Sequence, residues 1–221
     1  MDIVAKKIKL YVVFSIWITV LLLLMKRGQN SDAGSFMEYL LGGVKWRQFP
    51  IDVYALGRWL ITITSFIVIN EIRLIRWKQL ETYVLYRMKS LKRFWIRSFM
   101  ESLKFNMICI VLFFLILIII SSEQRINQEI ILIYGIHILV ITTIQTLGGY
   151  VFDGYKYLGI MIGLEAFSPY LLTDAMPGIW GMYFQSEYYV VGGFSVIPVL
   201  ELEICIVIGS LFLGTLKRKE R

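Results

Sequence analysis

Ionisable side chains are scarce in the apolar stretches of this chain, so each one present is a candidate for chemistry. Glu165 lies inside the apolar run 157–172. A carboxylate at the centre of a membrane helix costs about 3 kcal/mol on insertion scales, and groups kept there face a bundle interior or a cavity. His137, the single histidine, lies inside another apolar run, 130–151. An imidazole in that setting either exchanges a proton or is a satisfied polar residue between helices. Glu165 and His137 are therefore candidate substrate-path or intramembrane polar residues, and a hydrogen-bonded structural role is the plainer alternative for both. Cys109 and Cys205 stand alone in apolar runs without CxxC spacing and read as small packing residues. With one histidine, metal-site and His-dependent catalytic readings have almost no material. GxxxxGK[ST], GxSG and HExxH are all missing from the sequence, as is any Gly-Lys pair. Catalytic residues and bound cofactors are not expected, and any ATP must be hydrolysed on another polypeptide.

The elements that would position these residues are membrane spans. Of 221 residues, 57% are hydrophobic, and the mean hydropathy is +0.68. The apolar residues fall in blocks close to the roughly 20 residues a transmembrane helix needs. Six spans are expected, at 10–25, 53–72, 105–120, 130–151, 157–172 and 198–216, forming one domain over residues 1–221. The first resembles a signal peptide, with Lys6, Lys7 and Lys9 before the apolar stretch. No small-residue cleavage pattern follows, so it reads as an uncleaved span. Placing both termini in the cytoplasm puts seventeen Lys and Arg on the inner side and six on the outer. Lys26 and Arg27 run against this rule locally. The net charge of +7 is explained by basic residues flanking spans, which excludes nucleic acid as a partner and leaves the lipid bilayer.

Residues 73–104 carry nine basic side chains and contain neither Gly nor Pro, so nothing is expected to stop a helix there. Leu80, Val84, Met88, Leu91, Trp95 and Phe99 share one face; Lys89, Arg93 and Arg97 share another. This is an amphipathic cationic helix, read either as interfacial, with Trp77, Tyr83 and Trp95 at the boundary, or as a docking element for a cytoplasmic partner. The run Tyr83-Val84-Leu85-Tyr86-Arg87-Met88-Lys89-Ser90-Leu91-Lys92-Arg93-Phe94-Trp95, leading into the third span, resembles the corresponding connection of ABC-2 type permeases. The nearest likeness is to small bacterial permeases of antimicrobial-peptide or antibiotic export and immunity systems. The likeness covers the whole topology and implies an all-α integral membrane fold with a cytoplasmic coupling helix between the second and third spans. It also implies a multi-pass location in a bacterial cell membrane. By the same resemblance, ABC ATPase subunits and a second permease copy or related permease are the expected partners, with ATP on the partner subunit. Gln79, Tyr83, Tyr86, Arg87, Lys89, Lys92 and Arg93 become the ATPase-docking residues. The substrate would be a peptide, an antibiotic or a lipid-like molecule. A membrane substrate-binding subunit of a vitamin-uptake system and a stand-alone membrane immunity protein remain the alternatives.

The outer connection 173–197 is apolar but broken by Pro177-Gly178, Gly181 and Gly192-Gly193. It reads either as short re-entrant helices, as in ABC-2 permeases, or as an aromatic belt of Trp180, Tyr183, Phe184, Tyr188 and Tyr189. Arg58 and Trp59 are expected to anchor the outer interface. Glu201 and Glu203 are expected to meet water or head groups. Gly159 and Gly163 have a helix-packing spacing.

Overall fold

The computed structural model describes residues 2–29, 35–44, 50–88, 90–122, 128–151, 156–170, 177–182 and 196–216. Among them the regular structure is entirely helical: α1 (Asp2–Arg27), α2 (Phe36–Leu41), α3 (Val53–Met88), α4 (Leu91–Ser121), α5 (Gln128–Val151), α6 (Lys156–Phe167), a 3-10 turn (Ser168–Tyr170), α7 (Pro177–Trp180) and α8 (Val196–Leu216). Four stretches among the described residues are long and apolar enough to cross a bilayer: Ile8–Arg27, Val53–Gln79, Lys92–Ser121 and Gln128–Val151. The α5 stretch is 67% buried and forms the centre of the bundle, whereas the α1 stretch is 22% buried and lies at its edge. The core joins Phe14, Ile18 and Leu22 of α1 to Trp59 and Phe66 of α3, Phe113 of α4 and Tyr134 of α5. Cys109 is buried among them, while Cys205 is exposed.

The termini of these helices have local causes. Asp52 starts α3, its Oδ1 accepting from the amides of Tyr54 and Ala55, both at 3.0 Å. The α3 helix then runs 36 residues, about 54 Å at 1.5 Å per residue, and α4 runs 31, against a hydrocarbon layer of about 30 Å. Segment 73–104 is therefore not one helix, contrary to expectation. It is the joined ends of α3 and α4, broken where Ser90 takes an extended conformation (φ −152°, ψ 118°) and its Oγ accepts from the amide of Arg93. A serine N-cap makes the stop that Gly and Pro did not. At the other end of α4, Lys26 donates to the carbonyls of Ile120 and Ser121. A cation there meets the unpaired carbonyls and the negative end of the helix dipole, which gives Lys26 a local role at the end of α4.

Two tryptophans expected at membrane boundaries are core residues instead. Trp95 is fully buried; its indole donates to the carbonyl of Leu211 at 2.8 Å and packs on Tyr150 at 4.4 Å. Gly214, one turn further along α8, makes room for that ring, because a Cβ there would overlap it. Trp59 is likewise fully buried, edge-on to Tyr134. Its neighbour Arg58 is half-buried and donates to the carbonyl of Tyr39 at 3.0 Å, its guanidinium lying over the Tyr39 ring. That ties α3 to α2, whose Phe36, Met37, Leu40 and Leu41 are all buried. The α6 helix has 12 residues, about 18 Å, before it tightens into the 3-10 turn containing Pro169. A Cβ added at Gly159 or Gly163 would meet nothing within 4 Å among the described residues, so their spacing serves no packing there.

Candidate functional site

Three helices each place one ionisable side chain at a common point in the interior. His137 of α5 is 0% exposed, Glu203 of α8 is 0% exposed and Glu165 of α6 is 3% exposed. His137 Nδ1 lies 2.9 Å from Glu203 Oε1, and its Nε2 lies 3.3 Å from Glu165 Oε2. The imidazole thus bridges two carboxylates, one on each ring nitrogen. A protonated ring donates an N–H to each; a neutral ring requires one carboxyl to carry the second proton. Either way the three groups share a small number of protons, and moving one changes the link between helices. The carboxylates sit on opposite edges of the ring, and among the described residues no set of three such side chains is disposed to hold a metal ion.

Two surfaces close this triad. The Trp59 ring stacks on the imidazole at 5.9 Å between centroids. On another side the backbone of α7 and the turn after it comes so near that a Cβ at Gly181 would overlap the His137 ring. One at Gly178 would lie 2.9 Å from Glu165 Oε2. Glycine is needed at both positions for that approach. Met182 is fully buried beside Gly43, whose φ of +71° turns the chain after α2. Thus α2 and α7 together cover the triad's end of the bundle.

A second polar cluster lies nearer the α3–α4 turn. Asn70 Nδ2 donates to Gln145 Oε1 at 2.8 Å, and Gln145 Nε2 donates to Glu71 Oε2 at 3.0 Å. Tyr157 donates its hydroxyl proton to the same Glu71 oxygen at 2.6 Å. Asn70 Oδ1 accepts from Arg73 Nε, Ser102 Oγ and Asn106 Nδ2, each at 3.3 Å. The network joins α3, α4, α5 and α6, and the aromatic layer of Phe66, Phe113 and Tyr134 separates it from the triad.

Glu165 and His137, singled out in the sequence, are brought into contact. Glu203, expected in water, is their third member, while Glu201 is exposed as expected. Arg73 belongs to the buried network rather than to the basic surface. Of the docking candidates, Gln79, Lys92 and Arg93 are exposed on either side of the turn between α3 and α4. Tyr83, Tyr86 and Arg87 lie on the last turns of α3, with side chains outside the described residues, as is Lys89 altogether. The belt residues Tyr183, Phe184, Tyr188 and Tyr189 also lie outside them; Trp180 of α7 is half-buried.

An all-helical bundle with four helices of spanning length and buried ionisable groups at its centre is the architecture of a helical membrane protein. No protein-family model, curated protein or solved structure matches this chain.

Proposed function

We propose that this chain is the permease subunit of an ATP-driven ABC-2 type transporter that exports or clears a peptide, an antibiotic or a lipid-like substrate. The observation that carries the reading is the α3–α4 hairpin. Both helices are longer than the hydrocarbon layer requires, and they meet in a turn beyond it. Arg76, Lys78, Lys92, Arg93 and Arg97 are exposed around that turn. A rigid, cationic helical projection is what a cytoplasmic ATPase can grip and move. In this reading six spans are α1, α3, α4, α5, α6 with its 3-10 turn, and α8. Both termini lie in the cytoplasm, as the distribution of Lys and Arg favours, and α7 is the re-entrant outer element. Two permeases, identical or related, face each other with two ATPases beneath. Closure of the ATPases swings the hairpin as a lever and switches the accessible side. The chain makes and breaks no bond.

The test is whether an ABC ATPase co-purifies with the chain from its native membrane in mild detergent. Lys89→Glu/Lys92→Glu/Arg93→Glu is expected to release the ATPase while the permease still reaches the membrane. A chain that purifies alone yet remains functional in cells removes the permease reading.

A further inference from the structure

A cavity of about 240 Å³ opens between α1, α3 and α4, lined by Tyr11, Arg73, Trp77, Glu101, Lys104 and Phe105 among others. Arg73 is 6% exposed and anchored through Nε to Asn70 Oδ1 at 3.3 Å, yet its Nη1 and Nη2 have no hydrogen-bond partner among the described residues. Buried N–H donors without acceptors are costly, and here two amino groups of one guanidinium stand beside a cavity. Glu101 does not settle the balance, since Arg73 and Lys104 outnumber it and leave the lining with one net positive charge. A guanidinium fork presents two parallel donors, the geometry that fits a phosphate oxygen pair.

Depth identifies the source of that phosphate. Arg73 is 20 residues from Val53 at the far end of α3, about 30 Å along the axis, which is the thickness of the hydrocarbon layer. Lys104 is 17 residues from the far end of α4. The cavity therefore sits where lipid head groups lie, at the level where both helices leave the membrane. Leu10 and Ile108 complete the lining, and Ile108 is exposed, an apolar side for acyl chains.

We infer that the Arg73 cavity binds the phosphodiester of an anionic phospholipid in the leaflet nearest the α3–α4 turn. The guanidinium takes the phosphate, Lys104 adds charge at the rim, and Trp77 and Tyr11 flank the head group. This inference is independent of what the chain transports.

The experiment uses the purified full chain in detergent, supplied with phosphatidylglycerol or phosphatidylcholine of identical acyl chains. Bound lipid is counted by native mass spectrometry, and thermal unfolding is followed in parallel. Wild type is expected to retain the anionic lipid on the order of five-fold over the zwitterionic one, with a matching rise in melting temperature. Arg73→Gln is expected to bring the ratio to one, and Lys104→Gln to lower it. Equal retention of the two lipids by wild type, or an undiminished preference in Arg73→Gln, overturns the inference. A rise with inorganic phosphate equal to that with phosphatidylglycerol overturns the lipid assignment in favour of a soluble anion. If Arg73→Gln does not fold, Arg73→Lys/Lys104→Gln replaces it: it keeps one charge and loses the fork, and an unchanged ratio there is equally fatal.

Discussion

Removing His137 alone should damage the protein more than removing the whole triad. In His137→Leu the side-chain volume is nearly kept, but Glu165 and Glu203 are left buried with nothing between them. Both are at most 3% exposed, so water cannot take the place of the ring. Breaking a buried ionic contact by deleting one partner costs about 3–5 kcal/mol, because the remaining charge is stranded. At roughly 2–4 °C per kcal/mol for a chain of this size, the melting temperature should fall by about 10 °C. Replacing all three groups by apolar side chains of similar volume removes the stranded charges as well. The triple variant H137L/E165M/E203M should therefore lie within about 1.5 kcal/mol of wild type or above it. Thermal unfolding in one detergent, read by circular dichroism, compares the two directly. A single variant that melts with wild type refutes the idea that the ring holds the carboxylates. A triple variant that falls as far as the single shows that shape, not charge, was lost.

Gly214→Leu should push the Trp95 indole off the carbonyl of Leu211, costing about 1–3 kcal/mol as an overpacked core does; a shifted tryptophan emission should accompany the lower melting point, and unchanged emission would count against the contact. Asn70→Leu removes the acceptor shared by Arg73, Ser102 and Asn106 and the donor to Gln145. The orphaned buried groups should cost about 1–3 kcal/mol. The same measurement on Val68→Ala, at a half-exposed apolar site two residues earlier, is the comparison, and equal losses would show that the network is energetically silent.

How much of this could be read in the sequence depended on the kind of signal. The four long spans and the positions of Glu165 and His137 were legible because apolar length and an isolated charge are local facts. Glu203 differs from expectation because nothing within its own span marks a buried partner. In the expected six-span arrangement, His137 and Glu165 each lie about seven residues inside the same-side ends of their spans and Glu203 about five, which sets all three at a similar depth. That comparison across spans contains the triad. The network around Gln145 had a different signal, the polar spacing Thr142, Gln145, Thr146 that marks the inward face of an otherwise apolar helix. Trp59 and Trp95 were misread for a reason no single span supplies. A tryptophan near a span end has the same local sequence whether it faces lipid or a neighbouring helix. The α3–α4 turn was hidden because Ser90 stops the helix through a side-chain hydrogen bond, and serine is otherwise tolerated within helices.

The triad also sets an order in time. Glu203 follows His137 by 66 residues, and ribosomes add about 5–20 residues per second, so the ring waits several seconds for its second carboxylate. During that wait α5 and α6 hold a partly satisfied polar pair. A chain whose synthesis stops before α8 never completes it. Such a fragment keeps an imidazole with one of its two carboxylate contacts, Glu165, and lacks the other.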